Sequence, residues 1–238
     1  MKKIKTNELD FRAINDAIRT AGQDVTLTGC CGQRFIAAGM SDVSLTIEGV
    51  PGNALGAYLN GASITVLGNA QDAVGDTMND GCIVVHGSIG DAAGYAMRGG
   101  RIFVKGSAGY RAGIHMKAYQ DKVPLMVIGG CAGSFLGEYQ AGGVIVVLGL
   151  GGERIVSNFP CTGMHGGKMI LRSDCRDIVF PDQVSARPAS PEELDEIGQY
   201  AAEYCRLFGG DVQAVMASPF TVITPDNSNP YQRLYVAN

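Results

Sequence analysis

The sequence predicts an all-β protein, a single-stranded parallel β-helix of about seven or eight coils with a capping helix at each end. Three observations carry that prediction. Glycines recur at 49, 68, 87 and 106, each 19 residues after the last. Two further series, Gly56, Gly75, Gly94 and Gly113, and Leu59, Met78, Met97 and Met116, keep the same step. Ahead of each first-series glycine stands an alternating apolar pair: Leu45 and Ile47, Ile64 and Val66, Ile83 and Val85, Ile102 and Val104, Met126 and Ile128, Ile145 and Val147. Alternation puts each pair on one face of a short strand, and the 19-residue step returns the chain to that strand one coil later.

Such a stack satisfies the backbone by hydrogen bonding each coil to the next, about 4.8 Å away, and buries the apolar pairs as internal ladders. Glycine marks the corners, where φ is often positive and a Cβ would meet the neighbouring coil. Beyond Met116 the register advances by 24, to Gly130, Gly137 and Gln140, and the third series advances by 24 again to Met164. Each break is an insertion of five residues, one within 117–123 and one within 150–163, and both are expected as external loops. Weaker matches at Val25, Leu27 and Gly29, and at Gly167, Met169 and Leu171, extend the stack both ways.

The ends read differently. Leu9, Ile14, Ala17, Ile18 and Ala21 share a helical face before Gly22, so residues 1–22 are expected to cap the first coil and the β-helix to run over 23–185. In the last segment, 186–238, Ser190 and Glu193 form a capping box with Pro191 at the first helical position. Leu194, Ile197, Ala201, Tyr204 and Phe208 follow at helical spacing up to Gly209 and Gly210. From Pro219, through Pro225, Pro230 and Tyr231, the chain reads as an extended tail packed on something. Caps are needed because terminal coils expose hydrogen-bonding edges.

Composition narrows the function. Glycine fills 34 of 238 positions, about twice the usual roughly 7%, while tryptophan is absent. A formal charge of -4 gives no basic field for nucleic acid or anionic lipid. The most apolar runs, near 123–130 and 142–152, fall well short of the about 20 residues that a membrane-spanning helix needs. Seven cysteines, at 30, 31, 82, 131, 161, 175 and 205, include no C-x-x-C pair, and with no signal-like core after Lys5 they fit reduced thiols and a cytoplasmic location. The 19-residue step drifts out of an 18-residue hexapeptide register, no leucine-rich ladder is present, and Asp72 and Asp91 alone make no calcium ladder.

The pattern I-x-V-x-G-x-x-G-x-x-x-G-x-x-M, clearest from Ile83 to Gly99 and from Ile102 to Met116, resembles the GXGXG β-helix family. That family includes the carboxy-terminal domain of the glutamate synthase large chain and, more distantly, one of the chains of formylmethanofuran dehydrogenase. The Asn15-Asp16-Ala17-Ile18 helix and the segment from Thr162 to Gly167 are similar to the glutamate synthase version, and the C-terminal helix with its Pro-Tyr tail resembles stand-alone forms. The resemblance implies a right-handed β-helix with a structural role, bracing glutaminase and flavin- and iron-sulfur-containing synthase partners. It carries over no catalytic, cofactor-binding or metal residues: FMN and the iron-sulfur cluster are expected in partner subunits. The implied function is a non-catalytic scaffold that holds two active sites in register for internal ammonia transfer, with a homo-oligomer as a further possibility. A scaffold in a formylmethanofuran dehydrogenase or other amidotransferase complex is one alternative. An independent β-helix carbohydrate-active enzyme is another.

The residues themselves offer little chemistry. The segment from Thr162 to Met169 approaches a phosphate loop but lacks the first glycine and the Ser or Thr after Lys168. The cluster from Gly149 to Arg154 completes no dinucleotide fingerprint. His86 shares an outward station with Glu48, Leu67 and Lys105 and is expected on a solvated face, while His115 and His165 flank methionine stations as surface or partner contacts. Cys30 and Cys31 read as buried thiols, and Cys161 and Cys175 meet only if their coils stack in register.

Overall fold

A computed structural model describes residues 2–152 and 154–227. In chain order the elements are β1 (Lys2–Lys5), α1 (Phe11–Ala21), β2 (Asp24–Cys31), β3 (Ser44–Val50), β4 (Asn60–Val66), β5 (Asp80–Val85) and β6 (Arg101–Val104). They continue with β7 (Leu125–Ile128), β8 (Ala141–Val147), β9 (Gly166–Leu171), β10 (Val184–Pro188), α2 (Pro191–Phe208), α3 (Val212–Met216) and β11 (Thr221–Pro225). Strands β1 to β9 form one continuous parallel sheet in sequence order, the signature of a β-helix.

The register reproduces the repeat. Leu45 pairs with Ile64, Ile64 with Ile83, Ile83 with Ile102, Ile102 with Met126 and Met126 with Ile145. Val66, Val85 and Val104 form the parallel ladder beside it. All of these side chains lie in one buried cluster that runs the length of the stack, and it includes the outlying Val25, Leu27, Met169 and Leu171. Each fully buried Ile, Val or Leu contributes about 1.5–3 kcal/mol relative to exposure.

Two of the glycine series serve different ends. A Cβ on Gly49 would stand 2.2 Å from the Cys30 carbonyl, and one on Gly87 2.2 Å from Asn69 Oδ1, so the first series does avoid the preceding coil. The second series faces inward instead. A Cβ on Gly75 would lie 2.6 Å from Ile102 Cδ1, and one on Gly113 2.3 Å from Ile145 Cδ1. These glycines vacate core volume for the branched side chains of later strands, which corrects the expectation of contact between corners.

The G-x-x-x-G-x-x-M stretch is a run of tight turns whose N–H groups bond alternately to the coils on either side. Gly75 donates back to Leu55 O at 2.8 Å and Gly94 back to Val74 O at 2.7 Å, while Ala73 donates forward to Asp91 O at 2.7 Å and Ala92 forward to Tyr110 O at 2.7 Å. Many non-glycine residues there take positive φ, among them Phe35, Tyr58, Ala92, His115 and Phe135. Gln140 stands where the other coils place Met or Leu, and its buried Nε2 donates to Gly142 O and Gly143 O at 3.2 and 3.1 Å, beside the irregular pairing of β8 with β9. The first insertion forms a small hairpin, Tyr119 paired with Lys122, and the bridge from Ala132 to Val156 confines the second to the residues between them.

At the N-terminal end, Asp10 caps α1, and α1 closes the first coil through Asn15. The Asn15 amide donates to Phe35 O at 2.9 Å, and its Oδ1 accepts from Ala37 N at 2.8 Å. This side chain stands in for the backbone of a missing coil. The sheet edge itself is β1, parallel to β2, which the lysine-rich sequence did not signal. Lysine on an edge strand discourages further pairing.

At the other end, Thr221–Pro225 is a strand within the sheet, inserted antiparallel between β9 and β10, where the sequence reads as an extended tail. Pro230 and Tyr231 lie outside the described residues. Helix α2 has the expected capping box, with Arg187 making two further bonds to Glu193 at 2.7 and 2.9 Å. Its place differs from an end cap. Ile197, Ala201 and Tyr204 pack with Phe103, Val127 and Val146 on the outer face of the sheet, forming a second core. Tyr204 donates to Lys105 O at 3.0 Å, and a Cβ on Gly129 would collide with that hydroxyl.

Three outcomes follow. Asn15→Ala leaves the buried Ala37 N–H without its acceptor and removes one of the two donors to Phe35 O, so it should lower stability by about 1–3 kcal/mol in urea unfolding, and a loss below about 0.5 kcal/mol would contradict its role as a surrogate coil. Gly75→Val, which places a branched side chain at positive φ against Ile102, should be at least about 3 kcal/mol less stable, whereas an unchanged melting curve would exclude the inward packing. Arg187, aided by the Ser190 N–H, holds the Glu193 carboxyl at about 2, below its ordinary 4.5. Because the folded state lowers this pKa, its stabilisation is complete above about pH 4.5 and is lost as the pH falls towards 2. The stability gap between wild type and Glu193→Gln should therefore close between pH 5 and pH 2, and a gap independent of pH would refute the linkage.

Candidate functional site

The residues weighed for chemistry are dispersed by the fold. The segment from Thr162 to Met169 runs into β9, not into a helix, so it offers no helix N-terminus to a phosphate. His86 is not on a solvated face, since it stands edge-on to Phe208 of α2 at 5.2 Å and is half-buried. His165 Nδ1 lies 3.0 Å from Gly163 O, and His115 is exposed on the turn run. Cys30 is buried against Thr6, but Cys31 is exposed, a correction to the paired reading. Cys161 and Cys175 are both buried, and burial pushes both thiols up, with Cys161 Sγ packed 3.4 Å from Met169 Sδ. Among the described residues no group of three or more His, Cys, Asp or Glu converges as a metal site.

The turn run forms the face that stands out. Among the described residues seven aromatics are exposed, Phe11, Phe35, Tyr58, Tyr95, Tyr110, Tyr119 and Phe159, and all lie on the turn run, on α1 beside it or on the adjoining hairpin. Successive coils stack them: Tyr110 meets Phe135 at 5.5 Å, Phe135 meets Phe159 at 5.2 Å, and His115 lies flat on Tyr139 at 5.3 Å. Arg111 spans the stack, 4.8 Å above the Tyr110 ring, and its Nε lies 2.6 Å from Oε2 of the buried Glu138. Phe11, Phe35 and Tyr58 line a cavity of about 610 Å³ between α1 and the turns. Below this face the coils are clamped by side chains: Asp72 accepts from Asp91 N at 3.0 Å, and Asp91 accepts from Tyr110 N at 2.8 Å.

Exposed aromatic and arginine groups concentrated on one side mark a protein-contact surface more than a reaction site. Attention to strand stations alone overlooks this face. Its signal lies in the intervening places of the repeat, where Phe35, Phe135 and Phe159 occupy one position, and Tyr58, His115 and Tyr139 another. The opposite side of the sheet is covered by α2 from β5 onwards, whereas Glu48 and Leu67 of the earlier coils remain exposed. No helix of the described residues is long and apolar enough to cross a membrane.

Comparison with known proteins agrees with this architecture. The GXGXG motif model matches residues 2–225. An uncharacterized protein of Methanocaldococcus jannaschii, MJ1350, is 40% identical over 248 residues, covering 98% of this chain and 95% of that protein. A chain in the crystal structure of the formyltransferase/hydrolase complex (FhcABCD) from Methylorubrum extorquens, in complex with methylofuran, is similar with a TM-score of 0.62. It is 16% identical, over 92% of this chain and 89% of that one, and so shares the fold. A 19-residue β-helix with inward glycines, matched almost end to end by the motif model, shows that this chain belongs to the GXGXG family.

Proposed function

We propose that the chain is a non-catalytic scaffold subunit of a glutamate synthase-type complex, positioning a glutaminase subunit and a synthase subunit that carries FMN and an iron-sulfur cluster. The observation that carries the reading is the exposed aromatic face on a stack tied coil to coil by backbone bonds. A rigid body of this kind contributes geometry. In such a reaction the amide nitrogen of glutamine is released as ammonia in one active site and is captured by 2-oxoglutarate in the other, with two electrons supplied by the flavin partner. Fixed spacing of the two sites keeps that ammonia from water. A second reading, a scaffold in a formylmethanofuran-type complex, is favoured by the fold shared with a chain of the formyltransferase/hydrolase complex.

Purification of the tagged chain from its native source tests both. A stoichiometric complex with glutamine-dependent glutamate formation is expected. Omitting the chain from the reconstituted complex should leave ammonia release intact and cut its transfer to 2-oxoglutarate at least about tenfold. Copurification with formyl-transfer subunits would favour the second reading. Glutamine hydrolysis or glutamate formation by the isolated chain would overturn the scaffold assignment.

A further inference from the structure

Within the aromatic face, beside the hairpin of the first insertion, lies a cavity of about 440 Å³ lined by Tyr58, Asn60, Asn79, Arg98, Tyr119 and Lys122, among others. Its chemistry is one-sided. Two cations, side-chain amides and two phenols converge, and no carboxylate lines it. Lys122 is ion-paired with Asp80 Oδ2 at 2.7 Å, so the uncompensated cation of the lining is Arg98. Arg98 is exposed and has no ion pair among the described residues, nor has the nearby Lys117, and the free acid of the hairpin is Asp121. The cavity therefore presents side-chain amide donors and the unpaired guanidinium of Arg98, in a chain whose overall charge is -4.

We propose that this cavity receives the carboxylate of an aspartate or glutamate from an acidic segment of the partner subunit, which seats on the aromatic face around it. The inference rests on the scaffold reading and adds to it the place of docking and the charge of the partner. Charge complementarity selects a carboxylate, because an exposed guanidinium takes one by two parallel hydrogen bonds. The rim selects a polypeptide over a small anion. Tyr58 and Tyr119 are 59% and 52% exposed, and a free anion held at Arg98 would leave both rings in water, whereas a docked chain covers them.

The test uses the purified complex. Hydroxyl-radical labelling of Tyr58 and Tyr119 should fall at least about fivefold on assembly, with the half-buried Phe180 near β10 as the unchanged control. Arg98→Glu should weaken assembly about 10- to 100-fold and flatten its salt dependence, with the melting curve of the isolated chain unchanged. Assembly of Arg98→Glu at wild-type affinity, with both tyrosines labelled as in the free chain, would overturn the proposal while leaving the scaffold reading intact. Concentration-dependent protection of the same tyrosines in the isolated chain would assign the face to a second copy and overturn it too, as would their protection by citrate alone. A chain that purifies without any partner removes the scaffold reading first, and the docking site with it.

Discussion

Every coil of this molecule depends on its neighbours for its backbone hydrogen bonds. A strand such as β5 makes no local hairpin; its donors and acceptors are met by β4 on one side and β6 on the other. The turn run obeys the same rule, donating alternately backwards and forwards along the stack. Since buried N–H and C=O groups must be paired, the chain has to keep the same length per coil or place any surplus outside. The 19-residue step, the two external insertions and the stacking of Ile on Ile are three consequences of that requirement.

A stack held together this way has ends that need partners of a different kind. Asn15 supplies them at the first turn with a side-chain amide, and the lysines of β1 make that edge of the sheet unattractive to another sheet. At the far end the chain reverses direction, and β11 and β10 terminate the parallel ladder by antiparallel pairing. Helix α2 is then free to cover the outer face, where Phe103, Val127 and Val146 would otherwise meet water.

Much of this was legible because a repeat multiplies a weak signal. One Ile-x-Val pair is ambiguous, but six apolar pairs that recur every 19 residues with a single step of 24 assign both the strands and their register. What stayed hidden were features that occur once. The lysine-rich β1 has no apolar alternation, and β11 follows a loop with nothing local to show that it returns to β9. The inward role of Gly75 depends on Ile102, 27 residues on, and is visible only when the coils are superimposed. The aromatic face was written in the sequence, but in places between the strand stations, where alternation gives no guide and where Phe35, Tyr58 and Phe159 stand at positive φ in the turns.

Function of this kind lies in rigidity and surface more than in any reacting atom, so the stacking register underlies all of it. In protein labelled only at isoleucine δ1-methyls, nuclear Overhauser contacts test that register directly. Cross-peaks linking Ile64 to Ile83 and Ile83 to Ile102 are expected, because Gly56 lies against the first pair of methyls and Gly75 against the second. Their absence, with these methyls reporting unrelated neighbours, would contradict the coil register and everything built on it.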